Sequence, residues 1–232
     1  FSALTGLNNA SIRLQNSANN LANVQTAGFK KGEVNSVQSK SGGTRVNSVA
    51  KINTQGGLIP TNNPLDLAIE GNGFFQVTNP NGEASFTRSG SFSLNGEGQV
   101  VDSSGNALIP QIIVPAGNNG ISIGANGQVS TQTAGGLEVA GQIQLANFNN
   151  PEGLTAAGGN LLNESAASGA PIVGNPNQGP FGSVLTGFLE GSNVDIAEEM
   201  IDQIVAKAAF KANVNVIKTN DEMIGSLLDI KS

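Results

Sequence analysis

Residues 1–29 read FSALTGLNNASIRLQNSANNLANVQTAGF, and their spacing predicts an amphipathic helix over residues 1–25. Leu7, Leu14 and Leu21 fall on one heptad position, while Leu4, Ser11 and Ala18 fall on its partner. A repeat of this kind is the seam of a coiled coil, and small side chains on one side of it let a partner helix come close. Thr26-Ala27-Gly28 ends the helix, because Gly takes the left-handed conformation of a C-terminal cap. Phe29 stands just beyond, where it covers the last turn.

A second helix is marked at the other end of the chain. Asp195-Ile196-Ala197-Glu198 has the spacing of a capping box, in which Asp195 accepts an orphan backbone N–H and Glu198 reaches back. Asp195, Glu198, Glu199 and Asp202 suit the positive end of the helix dipole, and Lys207, Lys211 and Lys218 follow later. Phe210, Val214, Ile217, Ile224 and Leu228 repeat with heptad spacing, interrupted once by Asp221. Ile201, Ile204, Val205 and Ala208 widen the apolar arc of the first half, so that half is expected to meet more than one neighbour. Residues 1–31 carry a net charge of +3 and residues 192–232 a net charge of −3. Two heptad helices of opposite charge predict an antiparallel coiled-coil stalk built from the two chain ends.

Between the helices the pattern is that of β structure. Asn81-Gly82, Asn95-Gly96 and Asn126-Gly127 signal hairpins, since both residue types tolerate positive φ, and Ser104-Gly105-Asn106 marks a fourth turn. Strands are expected at 73–78, 84–88, 91–94, 99–102, 108–114, 121–123, 128–132 and 141–148. Their spacing implies an all-β domain of sandwich or barrel type. The fold class is therefore α+β. Residues 1–30 and 191–232 form a discontinuous helical domain, residues 31–64 an extended loop or arm, and residues 65–190 a β-rich domain. Two stretches, 31–57 and 149–183, are rich in Gly, Asn, Ser or Pro without a sustained period and read as loops.

Composition narrows the chemistry. The 232 residues contain no His and no Cys, which removes imidazole and thiolate catalysis and the common structural zinc sites. Neither a metal nor a cofactor is expected, and the chain is read as a non-enzyme. Residues 65–190 hold one base, Arg88, against nine acids, a surface that repels phosphate and argues against nucleic acid. Glu70-Gly71-Asn72-Gly73 fails as a phosphate loop, because the strand pattern of Phe74-Phe75-Gln76-Val77 follows where a helix N-terminus is needed. Glu83, Glu97 and Asp102 sit beside hairpin turns, where acids are normally solvated rather than catalytic or calcium-binding. The opening residues show neither a basic n-region nor an unbroken apolar run, and no 20-residue apolar span occurs, so neither a cleavable signal nor membrane insertion is expected.

Three blocks carry a family resemblance. Asn19-Asn20-Leu21-Ala22-Asn23-Val24-Gln25-Thr26-Ala27-Gly28-Phe29-Lys30 resembles the N-terminal signature of the bacterial flagellar basal-body rod and hook family. Residues 63–75, from Asn63-Pro64-Leu65-Asp66 to Gly73-Phe74-Phe75, resemble that family's entry into its β domain, and Phe86-Thr87-Arg88-Ser89-Gly90-Ser91-Phe92 continues the likeness. Leu189-Glu190-Gly191-Ser192-Asn193-Val194-Asp195 and Glu198-Glu199-Met200 resemble its run into the C-terminal helix. Glu152-Gly153-Leu154, Gly159-Asn160-Leu161 and Ser168-Gly169-Ala170-Pro171 are most similar to the distal rod members, with a short hook-like subunit as the alternative. Segment 30–55 is short for a distal rod member, and Lys207, Ala208 and Phe210 stand where Gln, Arg and Tyr are common in the family.

The resemblance implies a structural subunit of the flagellar basal body, exported through the type III apparatus without a cleavable signal. It implies self-assembly into a hollow helical tube that transmits torque, with neighbouring rod and hook proteins as partners. The competing class is a carbohydrate-binding or adhesin-like β module, which the Gly- and Asn-rich middle would allow. On the rod reading the assembly face comprises Leu4, Leu7, Leu14 and Leu21 of the first helix, with Asn19, Asn20 and Asn23 as polar contacts to adjacent subunits and Phe29 beside them. From the other end it takes Asn193, Ile201 and Val205 and the seam Phe210, Val214, Ile217, Ile224 and Leu228.

Overall fold

Apolar residues recurring every three to four positions give two long helices, and between them the described residues form strands, turns and one short 3-10 turn. The computed structural model describes residues 2–40, 42–79, 82–115, 120–133 and 136–229, and the side chains of 227–229, Leu228 among them, lie outside that description. The chain divides into two units: unit 1 is Phe1–Val24, Lys31–Ile52 and Val194–Ser232, and unit 2 is Gln25–Lys30 and Asn53–Asn193.

Unit 1 contains α1 (Ser2–Ala22), the strands β1 (Gly32–Gln38) and β2 (Thr44–Lys51), and α2 (Ile196–Asp229). The start of α2 is set by Asp195, whose carboxylate accepts the N–H of Ala197 at 2.8 Å and of Glu198 at 3.2 Å. The reciprocal half of the expected capping box is replaced: the Glu198 carboxylate takes the Lys31 ammonium at 2.9 Å instead. α2 runs antiparallel to α1, with Glu199 beside Ser17, Asp202 beside Arg13, and Asn213 against Gly6.

Residues 32–51, expected to be loop, form an antiparallel hairpin with a bulge between Asn35 and Ser36. An isolated two-strand ribbon is marginal in water. This one is seated on α1, where the Asn9 amide donates to Ser36 and Thr44. Because both strands are largely polar, no alternation of apolar residues betrays them in the sequence.

Unit 2 is antiparallel throughout. Its strands are β3 (Leu58–Pro60), β4 (Leu67–Glu70), β5 (Phe74–Thr78), β6 (Ala84–Thr87), β7 (Phe92–Leu94), β8 (Val100–Asp102), β9 (Ala107–Ile109) and β10 (Ile121–Ile123). They continue as β11 (Gln128–Thr133), β12 (Gly136–Gln142), β13 (Leu145–Asn147), β14 (Thr155–Gly158), β15 (Leu161–Asn163), β16 (Ile172–Gly174), β17 (Ser183–Thr186) and β18 (Phe188–Glu190). A nine-stranded sheet has the order β14-β15-β6-β5-β9-β8-β7, with β13 joining β5 to β16. β10-β11-β12 form a second sheet, and β17 pairs with β4 and β18 with β3.

β5 is the central strand, covered on both faces, which explains the unbroken run Phe74-Phe75-Gln76-Val77. Phe75 and Val77 enter one core with Leu67, Leu108, Ile112 and Leu145, while Phe74 enters a second with Phe86 and Phe148. The rings meet edge to face, Phe75 on Phe92 at 5.3 Å and Phe86 on Phe148 at 4.8 Å.

Three expectations are corrected here. The strand expected over 108–114 stops at Ile109, since Pro110 has no N–H to donate to a ladder. The strand expected over 141–148 is two strands in different sheets, β12 and β13. Segment 149–183, expected to be loop, supplies β14, β15 and β16, which lengthen the large sheet with short strands that carry little periodicity.

The hairpin turns at Asn95-Gly96, Ser104-Gly105-Asn106 and Asn126-Gly127 share one hydrogen-bond pattern. In the loops 95–99, 102–106 and 124–128 the first residue donates to the carbonyl of the fifth, and the fourth donates back to the first. This is the three-residue loop closed by a left-handed fourth position. Gly98 fills that position with φ +78°, and Gly96 of the Asn95-Gly96 pair does not. A Cβ on Gly98 would lie 2.4 Å from the Val114 carbonyl oxygen, whereas one on Gly96 meets nothing. Gly98→Ala is expected to destabilise the chain by roughly 1–3 kcal/mol and Gly96→Ala by under about 0.5 kcal/mol, as read from urea midpoints.

Candidate assembly face and a buried carboxylate junction

In unit 1 the stripe of α1 that packs inward is one residue out of step with the leucines. Ala10, Ser17 and Asn20 are its buried positions, and Gly6, Arg13 and Val24 share their spacing. Leu7, Leu14 and Leu21 each follow such a residue and so point about 100° away around the helix. Leu4 is 58% exposed and Leu14 37%, while Leu7 and Leu21 are half-buried. The seam expected from the leucines is therefore not the seam that the helix pair uses. Close approach decides it: a Cβ on Gly6 would already be 2.8 Å from the Asn213 side chain.

Polar groups complete the inward stripe. The Asn20 amide donates to the Glu199 carboxylate at 2.8 Å and to the Gly32 carbonyl at 3.0 Å, and its oxygen accepts the Gly32 N–H at 2.9 Å. The Ser17 hydroxyl donates to the Glu199 carbonyl. Asn20 is thus spent inside the subunit, which corrects its expected role as a contact to a neighbour. Asn19 is exposed, and the half-buried Asn23 donates its amide to it. Lys31 is held above its ordinary pKa chiefly by its hydrogen bond to Glu198.

α2 repeats the pattern. Glu199 and Ala206 are buried, and Phe210, Val214 and Ile217 are half-buried. Ile201 and Ile204 are 61% and 67% exposed, and Met200, Val205 and Ile224 are exposed as well. Both helices therefore carry apolar side chains that their own unit leaves in water.

Unit 2 brings together residues to which sequence reasoning assigned no chemistry. Glu190, at the end of β18, is fully buried, and its carboxylate takes the Lys30 ammonium on Oε1 and the Arg88 guanidinium on Oε2, the latter at 3.2 Å. The Gly56 N–H adds a third bond to Oε1 at 3.0 Å. Arg88 also donates to the Gly71 carbonyl at 2.8 Å and lies 5.2 Å from the centre of the Phe74 ring. Burial pushes both cations below their ordinary pKa values, and Glu190 draws both back up.

The three quoted blocks that contain Lys30, Arg88 and Glu190 thus meet at one point. The available signal was a lone Arg88 among nine acids, since an isolated base in such a stretch needs a private partner. Phe29 is buried here too, so it presents no exposed side chain to a neighbour, and the half-buried Asn193 donates its amide to Thr54. Asp102 is occupied as a turn former, its carboxylate accepting the N–H groups of Ser104 and Asn106. Among the described residues no three metal-ligating side chains cluster.

Comparison with known proteins places these features. Residues 68–131 match the model of the flagellar hook protein FlgE/F/G D1 domain, and residues 185–230 match that of the flagellar basal body rod FlgEFG protein C-terminal region. A flagellar basal-body rod protein FlgG of Agrobacterium fabrum is 36% identical over 247 residues, covering 95% of this chain and 94% of the relative. A protein of the same name from Buchnera aphidicola is 38% identical, covering 96% of this chain and 95% of its own length. The flagellar hook protein FlgE of Salmonella typhimurium is 40% identical, but over only 40% of this chain and 23% of its own.

Proposed function

The chain belongs to the flagellar basal-body rod and hook family, whose members are structural and not enzymes, and we infer that it is a structural subunit of the flagellar rod. Relatives bearing the rod name align along almost the whole chain, whereas the hook likeness covers a minority of it, so the hook reading has less support. Membership of a structural family leaves the β-module reading without an argument of its own.

On this reading the subunits assemble with one another and with neighbouring rod and hook proteins into a hollow helical tube that passes torque, after export through the type III apparatus. The helices α1 (Ser2–Ala22) and α2 (Ile196–Asp229) act as an antiparallel coiled-coil stalk through which subunits meet. The observation that carries the assembly is the apolar surface left open on both helices, Leu4 and Leu14 on α1 and Met200, Ile201, Ile204 and Val205 on α2. A contact between copies that does not close on itself produces a tube or filament.

The test is polymerisation of the purified full chain, followed by sedimentation and electron microscopy. Leu4→Glu/Leu14→Glu is expected to lower the monomer's unfolding free energy by about 1 kcal/mol or less, because Leu4 is mostly and Leu14 partly in water. The same double variant is expected to raise the critical concentration about 100-fold or more, since burying two leucines is worth roughly 1.5 kcal/mol each at the least. Tubes formed at the unaltered concentration would overturn the proposed face. A labelled copy found outside the rod in isolated hook-basal bodies would overturn the rod assignment itself.

A further inference from the structure

The chain passes between its two units at residues 24/25, 30/31, 52/53 and 193/194. On the unit 2 side, the segments next to all these passages are tied to the same residue. The Gly28 N–H donates to the Glu190 carbonyl at 2.7 Å, and Lys30 reaches both the Glu190 carboxylate and the Thr54 carbonyl. The Gly56 N–H binds the same carboxylate, and the Gly191 N–H binds the Gly57 carbonyl at 2.7 Å. The Asn193 amide closes onto the Thr54 hydroxyl at 3.0 Å. Arg88, on the opposite carboxylate oxygen, ties this cluster to the body of unit 2 through Gly71 and the Phe74 ring.

We propose that Glu190 is a positioning clasp: it fixes, within unit 2, the roots of every segment that connects the two units, and so makes those roots a stiff mechanical anchor rather than flexible tethers. Two independent observations support this. The first is the chemistry chosen. A buried carboxylate shared by two cations adds little net stability compared with apolar packing, but its bonds are directional and admit one geometry. Leucines in its place would hold the segments together while letting them slide. The second is steric. A Cβ on Gly28 would lie 2.4 Å from the Ser89 backbone nitrogen, and one on Gly56 would lie 2.1 Å from the Gly191 carbonyl oxygen. Backbone is therefore pressed against backbone at two of the roots, leaving no play for a side chain.

The clasp also accounts for the charge pattern of the unit. Lys30 and Arg88 are the only bases of unit 2, and both are buried on Glu190. In a torque-carrying subunit, force entering the β-rich unit leaves it through these roots, so their rigidity is a functional property; that consequence rests on the rod reading.

The experiment is hydrogen exchange resolved by residue on the full-length monomer, which does not depend on polymerisation, so its outcome is separable from that of the assembly test. Lys30→Met keeps the Arg88–Glu190 pair and removes the ammonium that bridges Glu190 to Thr54. In this variant the amides of Gly28, Gly56 and Gly191 are expected to accelerate at least 10-fold more than those of Phe75 and Leu145 in the core. Glu190→Gln should widen the gap further; if that variant does not fold, Lys30→Met alone decides. Acceleration by one common factor at roots and core would reduce Glu190 to a source of global stability and overturn the proposal. Root amides that exchange at the wild-type rate would overturn it as well.

Discussion

Glu190→Ala is expected to cost unit 2 about 3–5 kcal/mol, because it leaves two buried cations without a counter-charge. Lys30 and Arg88 are each about 6% exposed, too deep for water to replace the lost carboxylate. The Gly56 N–H loses its acceptor at the same time. The variant carrying Lys30→Met, Arg88→Met and Glu190→Leu removes the charges together and is expected to recover most of that loss, since apolar groups of similar volume commonly replace a buried ion cluster at little cost. Urea unfolding followed by circular dichroism compares the three chains, as the sequence has no Trp or Tyr for a fluorescence probe. A single substitution as mild as a surface change would mean that the cluster is solvated in solution. Recovery of stability by the triple variant, with root amides that still exchange fast, is the combination that a positioning role requires.

Phe75→Ala is expected to cost about 3–5 kcal/mol, through lost burial and the cavity left on the central strand. Phe75 is fully buried, faces Phe92 edge-on with an interplanar angle of 89°, and belongs to the larger of the two cores. For a unit of this size the loss corresponds to a fall in melting temperature of roughly 10 °C or more. Its neighbour gives an internal control. Phe74 points to the other face of β5, into the core shared with Phe86 and Phe148. Phe74→Ala is expected to cost a similar amount, and the double variant should approach the sum, because the two rings pack against different residues. Strong non-additivity would show that the two faces of the strand are not separate packing units.

The turns show how far local reading reached. Asn95 and Asn126 were correctly expected at turns, and Gly127 of Asn126-Gly127 takes positive φ at +79°, but Gly96 of Asn95-Gly96 does not. In the 95–99 loop the residue with positive φ is Gly98, because the bond from Asn95 N–H to the Gln99 carbonyl sets a loop one residue longer than the shortest hairpin. The β1–β2 hairpin was missed for a different reason. Val34 and Val37, and Val46 and Val49, are spaced three apart rather than two, so no strand alternation shows, and the ribbon is held by Asn9 of α1. Asn20 was expected to contact a neighbouring subunit. Its partners, Gly32 and Glu199, are 12 and 179 positions away.

The sequence by itself determined the two terminal helices, the β character of the middle and the family, because periodicity, caps, turn residues and signature blocks are local or linear properties. Only the tertiary structure decided which face of α1 turns inward. A heptad shows that a helix has an apolar stripe, but the small stripe beside it permits the closer approach to α2 and leaves Leu4 and Leu14 exposed. Only the tertiary structure brought Lys30, Arg88 and Glu190 together. The two cations are 160 and 102 positions from the carboxylate, and a bond that depends on geometry over such separations has no signature in either neighbourhood alone.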